Sequence, residues 1–515
     1  MKFLKKLVLI FFLLAIITAG TLWVLTKTLK PETVKQFVNS QLTSMTHKSS
    51  KIKGTIAWQL FPRPGIKVTQ IEVGNPDELK DYSLTIDNLL LNLKITPLLR
   101  GQLVFSDINI NGLKLLTNPD ENNNNSSTHK VSVKSQKPLT TTNQTGKFAI
   151  ERFMLTNGQI IIQQKNNNVN LKNIQLGIEQ FNLQKTTFPL QLKAKLSAES
   201  GKNRLRTNIN FKGRLNLGPD IIQPSDEAIK EMTVNGQLLL QDIFFNQLKI
   251  DKLNANLKKE KNELILNPLT LSLYHGEAIG DLRYQLNNHQ LTVNQTATNL
   301  SGKNLISSMI DKDLISGSLD YSFHMNIPLS GSMDKWSGKG NLTVKDGELK
   351  GIDLNQLTNQ LIEKIDALIE TKKFNLGNSL ELLQPGDYSI SQGNTPFQLA
   401  RIQFHIAGDN LVTDSLIIQS ERLHVRGSGS FNLQQREINS NLQATIIDNN
   451  ENSKVYKVQN FLGGAFPIHI TGKLEELVVL PDVKNIQRSL SHNLIKNALD
   501  KPVKEIEKKL KSFFH

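Results

Sequence analysis

Apolar residues recur with a period of two over most of this chain, and that alternation limits its fold more than any other feature. Ile56, Trp58 and Leu60 alternate, then Ile66 and Val68, then Leu84 and Ile86, then Leu89, Leu91, Leu93 and Ile95. Successive side chains of a strand point to opposite faces, so each run predicts a strand with one apolar and one wet face. Asn and Gln occupy many of the wet positions. Hydrophobic content is 38 % and charged content 21 %, which suits neither a disordered chain nor a multispanning membrane protein. The 515 residues suffice for several ordinary domains or one extended repetitive one.

The strands are organised around turn dipeptides. About Asn111-Gly112, Ile110 mirrors Leu113 and Ile108 mirrors Leu115; about Asn157-Gly158, Leu155 mirrors Ile160 and Phe153 mirrors Ile162. Asp346-Gly347 and Asn288-His289 centre similar patterns. A two-residue type I′ hairpin produces such symmetry, because Asn-Gly and Asp-Gly supply the positive φ it needs. A glycine bulge inside one long strand produces the same phase shift. Either way the pattern predicts an antiparallel meander with one apolar face.

Helical periodicity is confined to a few places. Residues 1–30 read as a lysine-bearing tail and a membrane anchor, since the apolar run Leu7–Leu25 lies between Lys5, Lys6 and Lys27. At ~1.5 Å per residue that run covers ~28 Å, about the thickness of a bilayer's hydrocarbon. Small residues at Thr18-Ala19-Gly20 offer the rival reading of a cleaved signal peptide, but the run continues past them to Leu25. The short basic tail favours a cytoplasmic N-terminus, with the bulk of the chain exported. Residues 31–117 hold an amphipathic helix after Pro31 and the start of the sheet. Residues 118–147 are polar and without apolar periodicity, a loop or linker. Residues 148–480 continue the sheet, with a helix over 352–371 carrying Leu354, Leu357, Leu361 and Ile365 on one face. Residues 481–515 form a basic amphipathic helix, interrupted at Pro502, that suits an acidic partner or membrane surface.

Composition and motifs exclude several chemistries. The net charge of +15 favours anionic partners, but the cations are spread along the chain without interleaved aromatics, which argues against nucleic acid. There are no cysteines, so disulfides, thiolate metal sites and cysteine catalysis are excluded. The ten histidines are scattered without ligand spacing. Gly427-Ser-Gly429 lacks the third glycine of a dinucleotide loop, and no carboxylate pair stands out for acid–base work. The chain is expected to be no enzyme and to need no metal or other cofactor.

A sheet with one continuous apolar face must be covered by helices, by a second sheet or by closure. Here helices are too few, so the sheet is expected to curl on itself or to leave a groove for an apolar ligand. Acyl chains fit such a groove, and net positive charge fits their phosphates. Ile108, Ile110, Leu113, Leu115, Phe153, Leu155, Ile160 and Ile162 are candidate groove residues. In Gly54–Val68, GTIAWQLFPRPGIKV, Pro62 and Pro64 cannot donate to a ladder and mark a corner, with Gly65 permitting the bend. Arg63 between them is read first as a solvated cation and second as a headgroup contact.

Gly54-Thr-Ile-Ala-Trp58 with Phe61-Pro-Arg-Pro-Gly-Ile66, Leu271-Ser-Leu-Tyr274-His-Gly276, Val344-Lys-Asp346-Gly347-Glu-Leu-Lys-Gly351-Ile-Asp353 and Pro467-Ile-His-Ile-Thr-Gly472 follow the anchor in that order. Together they resemble the AsmA family of Gram-negative envelope proteins. His275 departs from the family's pattern, which usually has a second glycine there. The resemblance implies an inner-membrane anchor and a curved periplasmic β-groove. It also implies a role in outer-membrane biogenesis, with phospholipid bound or conducted between the two membranes. An envelope or outer-membrane protein is then an expected partner. The alternative function is a periplasmic scaffold that regulates outer-membrane protein assembly or insertion without conducting lipid.

Overall fold

The computed structural model describes residues 39, 49–59, 63, 65–74, 82–94, 105–118, 149–219, 226–329, 332–370, 393–474, 476–486 and 488–489. The expected anchor, the helix after Pro31, the polar segment after residue 118 and the chain beyond residue 489 lie outside them. Among the described residues, no helix is long and apolar enough to cross a membrane. These residues are mainly β, with 22 strands and few helices. The chain divides into two compact units, Met1–Leu271 with Arg283–Asn287, and Ser272–Leu282 with Asn288–His515.

The first unit begins with β1 (Ser50–Ile52) and β2 (Ile56–Gln59), which both pair antiparallel with β3 (Gly65–Val73). Gly54 joins β1 to β2, because a Cβ there would lie 2.5 Å from the Thr69 carbonyl oxygen. There follow β4 (Tyr82–Leu93), β5 (Phe105–Thr117), β6 (Ala149–Gln164), β7 (Asn167–Asn182), β8 (Thr187–Ser200) and β9 (Asn203–Asn216). Then come β10 (Thr233–Phe245), β11 (Leu248–Glu260) and β12 (Glu263–Leu273). From β3 to β11 each strand pairs with the next, antiparallel except for β5 and β6. That parallel pair departs from the expected meander. A parallel pair cannot be joined by a tight turn, and β5 and β6 are separated in sequence by residues 118–148.

Three of the four turn dipeptides lie inside single strands. Gly112 lies within β5, Asn157 within β6 and Asp346 within a later strand, with φ of 73°, 52° and 48°. Ile108, Ile110, Leu113 and Leu115 therefore follow one another along β5 and do not face one another across a hairpin. The positive-φ residue resets the phase, so even positions before it and odd positions after it share one face; β4 changes phase at the same level, and its register with β5 is unbroken there. Gln70 in β3, Asn173 in β7 and Asp242 in β10 also have positive φ, at 52°, 53° and 52°. Of the four dipeptides, only Asn288-His289 lies in a turn between strands.

In the second unit β13 (Gly276–Gln285), β14 (Gln290–Ser301), β15 (Ile315–Pro328), β16 (Ser337–Lys350) and β17 (Asn394–Ala407) are followed by β18 (Asn410–Gln419), β19 (Leu423–Asn432), β20 (Glu437–Ile446), β21 (Phe466–Lys473) and β22 (Val478–Pro481). From β14 to β22 every strand pairs antiparallel with its successor. Helices are inserted at a few connections: α1 (Asp226–Glu231) in the first unit, and α2 (Gly302–Ile310), α3 (Leu354–Glu370) and α4 (Lys454–Phe461) in the second. In α3 the spacing of Leu354, Leu357, Leu361 and Ile365 puts them on one face, and all four are fully buried. Thr395 fixes the start of this helix: its hydroxyl accepts from Leu354 N and donates to Ile352 O. Residues 483–486 and 488–489 are helical.

Candidate functional site

The apolar face of the first unit is buried unequally. In β3–β6 it is closed. Leu89 and Leu91 of β4 align with Ile110 and Ile108 of β5, which align with Leu155 and Phe153 of β6. Ile108, Ile110 and Leu115 are 1 % exposed, and Leu113, Phe153, Leu155 and Ile160 are also buried. Ile162 is partly buried against the same cluster. The eight sequence-derived groove positions thus come together, and they pack against one another and their strand neighbours.

Further along, the same face is less covered. Across β8 to β11, Ala194, Ile209, Leu240 and Leu253 form one row in register, and Leu192, Phe211, Leu238 and Ala255 form the next. Ile209, Leu238, Leu240, Leu253 and Leu192 remain partly exposed. The third row contains Gly213 opposite Gly236. A Cβ on Gly213 would lie 2.6 Å from Phe211 Cζ and 2.4 Å from Asn235 O. The Phe211 ring therefore lies over the glycine pair, and the floor there is flat. One end of the strip is closed by α1, whose Ala228 joins the core cluster. Lys259, though on the apolar face, is 4 % exposed. Its Nζ donates to Ile229 O, Lys230 O and Met232 O and so caps the C-terminal carbonyls of α1. Burial lowers its pKa.

The second unit repeats the contrast along its strands. The row Leu319, Val344, Ala400, Ile418, Val425 and Ala444 is buried. Helix α2 packs on β14 and β15, α3 on β17 and α4, and α4 on β20. Toward the other strand ends, Val293, Met325, Leu411, Phe431 and Ile438 are partly exposed. Between the two zones Tyr321 donates its hydroxyl to Gln295 Oε1 at 2.9 Å, with its ring stacked on Phe323. Burial pushes the Tyr321 phenol up to about 12.

Arg63 is not a free cation. Its Nη1 donates to Asp107 Oδ2 at 2.7 Å, and the Asp107 side chain is 5 % exposed. Asp107 shares its register position with Asn92 and Arg152, one residue from the apolar Leu91, Ile108 and Phe153, so it lies on the opposite face of the sheet. Gly65 has no positive φ; its Cβ would lie 2.6 Å from Leu91 O, so close approach explains it better than a bend. The 44-residue separation of Arg63 and Asp107 left no mark in the sequence pattern. Among the described residues no cluster of three His, Cys, Asp or Glu could hold a metal ion.

No curated protein matches the chain, and no solved structure matches it. A family model does match, over residues 1–243, and its description is the AsmA family. The matched stretch includes the first of the four motif groups and ends before the other three.

Proposed function

We propose that this chain, a member of the AsmA family through its residues 1–243, binds phospholipid acyl chains on the partly exposed apolar strip of β8–β11. Family membership and the long β-architecture fit lipid transport and outer-membrane biogenesis in general. The observation that carries the finer reading is the change in burial along one face. Leu89 and Ile110 are 1 % exposed, while Ile209, Leu238, Leu240 and Leu253 are left partly open on a flat floor. A row of leucines beside a glycine-flattened stretch of the same face suits a ligand that is long, apolar and without fixed hydrogen-bonding needs. The half-open strip of β14–β20 offers the same chemistry in the second unit. In this reading the protein is anchored in the inner membrane by Leu7–Leu25 and acts in the periplasm, without catalysing a reaction.

The scaffold alternative draws on the closed zone of β3–β6, where seven of the eight candidate groove residues are buried and Ile162 is partly buried. The two readings separate by experiment. A photoreactive residue at Leu240 or Leu253 of the full-length protein should crosslink phospholipid in cells, and one at Leu89 should not. Absence of crosslinks at both open positions, with no phospholipid co-purifying, would overturn lipid binding and leave the scaffold reading.

A further inference from the structure

The face of the sheet opposite the apolar strip carries a second feature, which does not depend on the lipid reading. A recess of 240 Å³ is lined by Arg63, Asn92, Asp107, Arg152 and their neighbours, and it holds two guanidinium groups around one carboxylate. Asp107 is already committed: Arg63 donates to its Oδ2 at 2.7 Å, and Ser106 Oγ donates to the same oxygen at 3.0 Å. Arg152 is barely engaged, since its Nε stands 4.0 Å from Asp107 Oδ1 and the side chain is 51 % exposed. Its planar set of N–H donors remains open toward the recess, and the local charge sums to one excess cation.

Asn92 provides the second, independent observation. It is 8 % exposed, and its Oδ1 is buried with no hydrogen-bond partner. A buried acceptor without a donor costs about 1–3 kcal/mol, so such groups are rare unless something meets them. Gly65 opposite it carries no side chain, and a Cβ there would come within 3.0 Å of that oxygen. The recess therefore suits a ligand with two parts: oxygens that accept from the guanidinium of Arg152, and a donor that Asn92 Oδ1 meets once its side chain turns away from Gly65 into the recess. A second recess of 390 Å³ shares Gln59, Leu90 and Asn109 with the first, and exposes Met154 to the carbon skeleton of such a ligand.

We propose that this recess binds a small phosphoester that carries an ammonium or hydroxyl donor. Its phosphate oxygens accept from Arg152 and from the outer N–H groups of Arg63, while the donor closes on Asn92. A tetrahedral phosphate can address both guanidinium groups at once, which a planar carboxylate does less well. The same chemistry is offered by the headgroup of a phospholipid and by a soluble phosphoester.

Calorimetric titration of the full-length protein in maltoside detergent tests this. The probes are O-phosphoethanolamine, glycerol 3-phosphate, inorganic phosphate and dihexanoyl phosphatidylethanolamine below its micelle concentration. The donor-bearing esters should bind saturably and more tightly than inorganic phosphate, and Arg152→Gln should weaken them by about tenfold. Arg152 is half exposed, so this variant should keep the wild-type denaturation midpoint. Asn92→Leu should abolish the preference over inorganic phosphate. Tighter binding of the dihexanoyl lipid than of its headgroup alone identifies a lipid source; equal binding identifies a soluble one. No saturable binding of any probe overturns the site, as does unchanged affinity in Arg152→Gln. Because the acyl strip lies on the other face, loss of crosslinking at Leu240 would not affect this result.

Discussion

Strands β4 and β10 carry the same alternation of leucines, yet they end in different environments. Leu89 and Leu91 of β4 are 1 % exposed, whereas Leu238 and Leu240 of β10 stay partly open. Both strands have two hydrogen-bonded neighbours, so the difference lies in what covers the apolar face and not in the ladder. Alternation specifies which face is apolar; it does not specify whether protein or ligand completes it. The chain's residue choices hint at the division. The open zone contains Gly213 facing Gly236 under the Phe211 ring, and it is bordered by Lys259. The closed zone fills most such positions with Ile, Leu, Val or Phe, with Tyr82 and Thr117 at one end of the face.

The strongest way to break this comparison is a matched pair of truncations. Leu89→Ala removes a fully enclosed side chain and leaves a cavity, so it should lower stability by about 2–5 kcal/mol. Leu240→Ala removes a side chain already partly in water, and should cost about 1 kcal/mol. Urea denaturation of the two variants measures both. Equal losses would mean that β8–β11 is as closed as β3–β6, and the proposed ligand surface would be gone.

Filling the flat floor should act next most strongly. Gly213→Val would place a Cβ 2.6 Å from Phe211 Cζ and 2.4 Å from Asn235 O, so both the ring and the neighbouring strand must shift. The expected cost is about 1–3 kcal/mol, from overpacking. A fall in phospholipid crosslinking at Leu240 should accompany it. A variant that loses stability yet keeps its crosslink would separate the floor's shape from its ligand contact.

Much of this contrast was legible before the structure, and some could not have been. The apolar face of β5 and β6 was readable residue by residue, because a positive-φ phase reset keeps Ile108, Ile110, Leu113 and Leu115 on one side. The same reset was indistinguishable from a hairpin, since both devices mirror the apolar positions around a positive-φ dipeptide. Helix α3 was readable from Leu354, Leu357, Leu361 and Ile365. The parallel pairing of β5 with β6 was not, because pairing direction leaves no periodic trace. Asp107 looks like any wet-face carboxylate next to Ile108, and its ion-pair partner Arg63 comes from 44 residues away. Lys259 was hidden in the same way, at an apolar-face position that tertiary packing turns into a helix cap.

In the second unit the border between buried and open zones can be tested at Tyr321. Tyr321→Phe leaves Gln295 Oε1, on a residue 9 % exposed, without its donor, and should cost about 1 kcal/mol. The pH dependence has a definite sign. With the phenol raised to about 12 in the folded state, the unfolded chain deprotonates first, near 10, and stability falls as pH rises between these values. Denaturation at about pH 9 and about pH 11 should show a smaller alkaline loss in the Phe variant than in the wild type. An identical loss in both would place Tyr321 in water, and the open zone would then reach deeper along β15.

The smallest effect concerns the bulges, which occur in both zones of the first unit. Asn157 in the closed zone and Asp242 in the open one share a φ of 52°. Glycine adopts that conformation without strain, which favours Asn157→Gly and Asp242→Gly by up to about 1 kcal/mol. Each side chain also makes a cross-strand hydrogen bond, Asn157 Nδ2 to Asn111 Oδ1 and Asn208 Nδ2 to Asp242 Oδ2. Losing that bond returns about 0.5–1 kcal/mol, so both variants should lie within about 0.5 kcal/mol of the wild type. Matching small values would show that the bulge is a local device for resetting phase, equally present where the face is closed and where it is open. A large loss at Asn157 alone would tie closure of β3–β6 to its bulge, and cover would then cease to be the whole difference between the two zones.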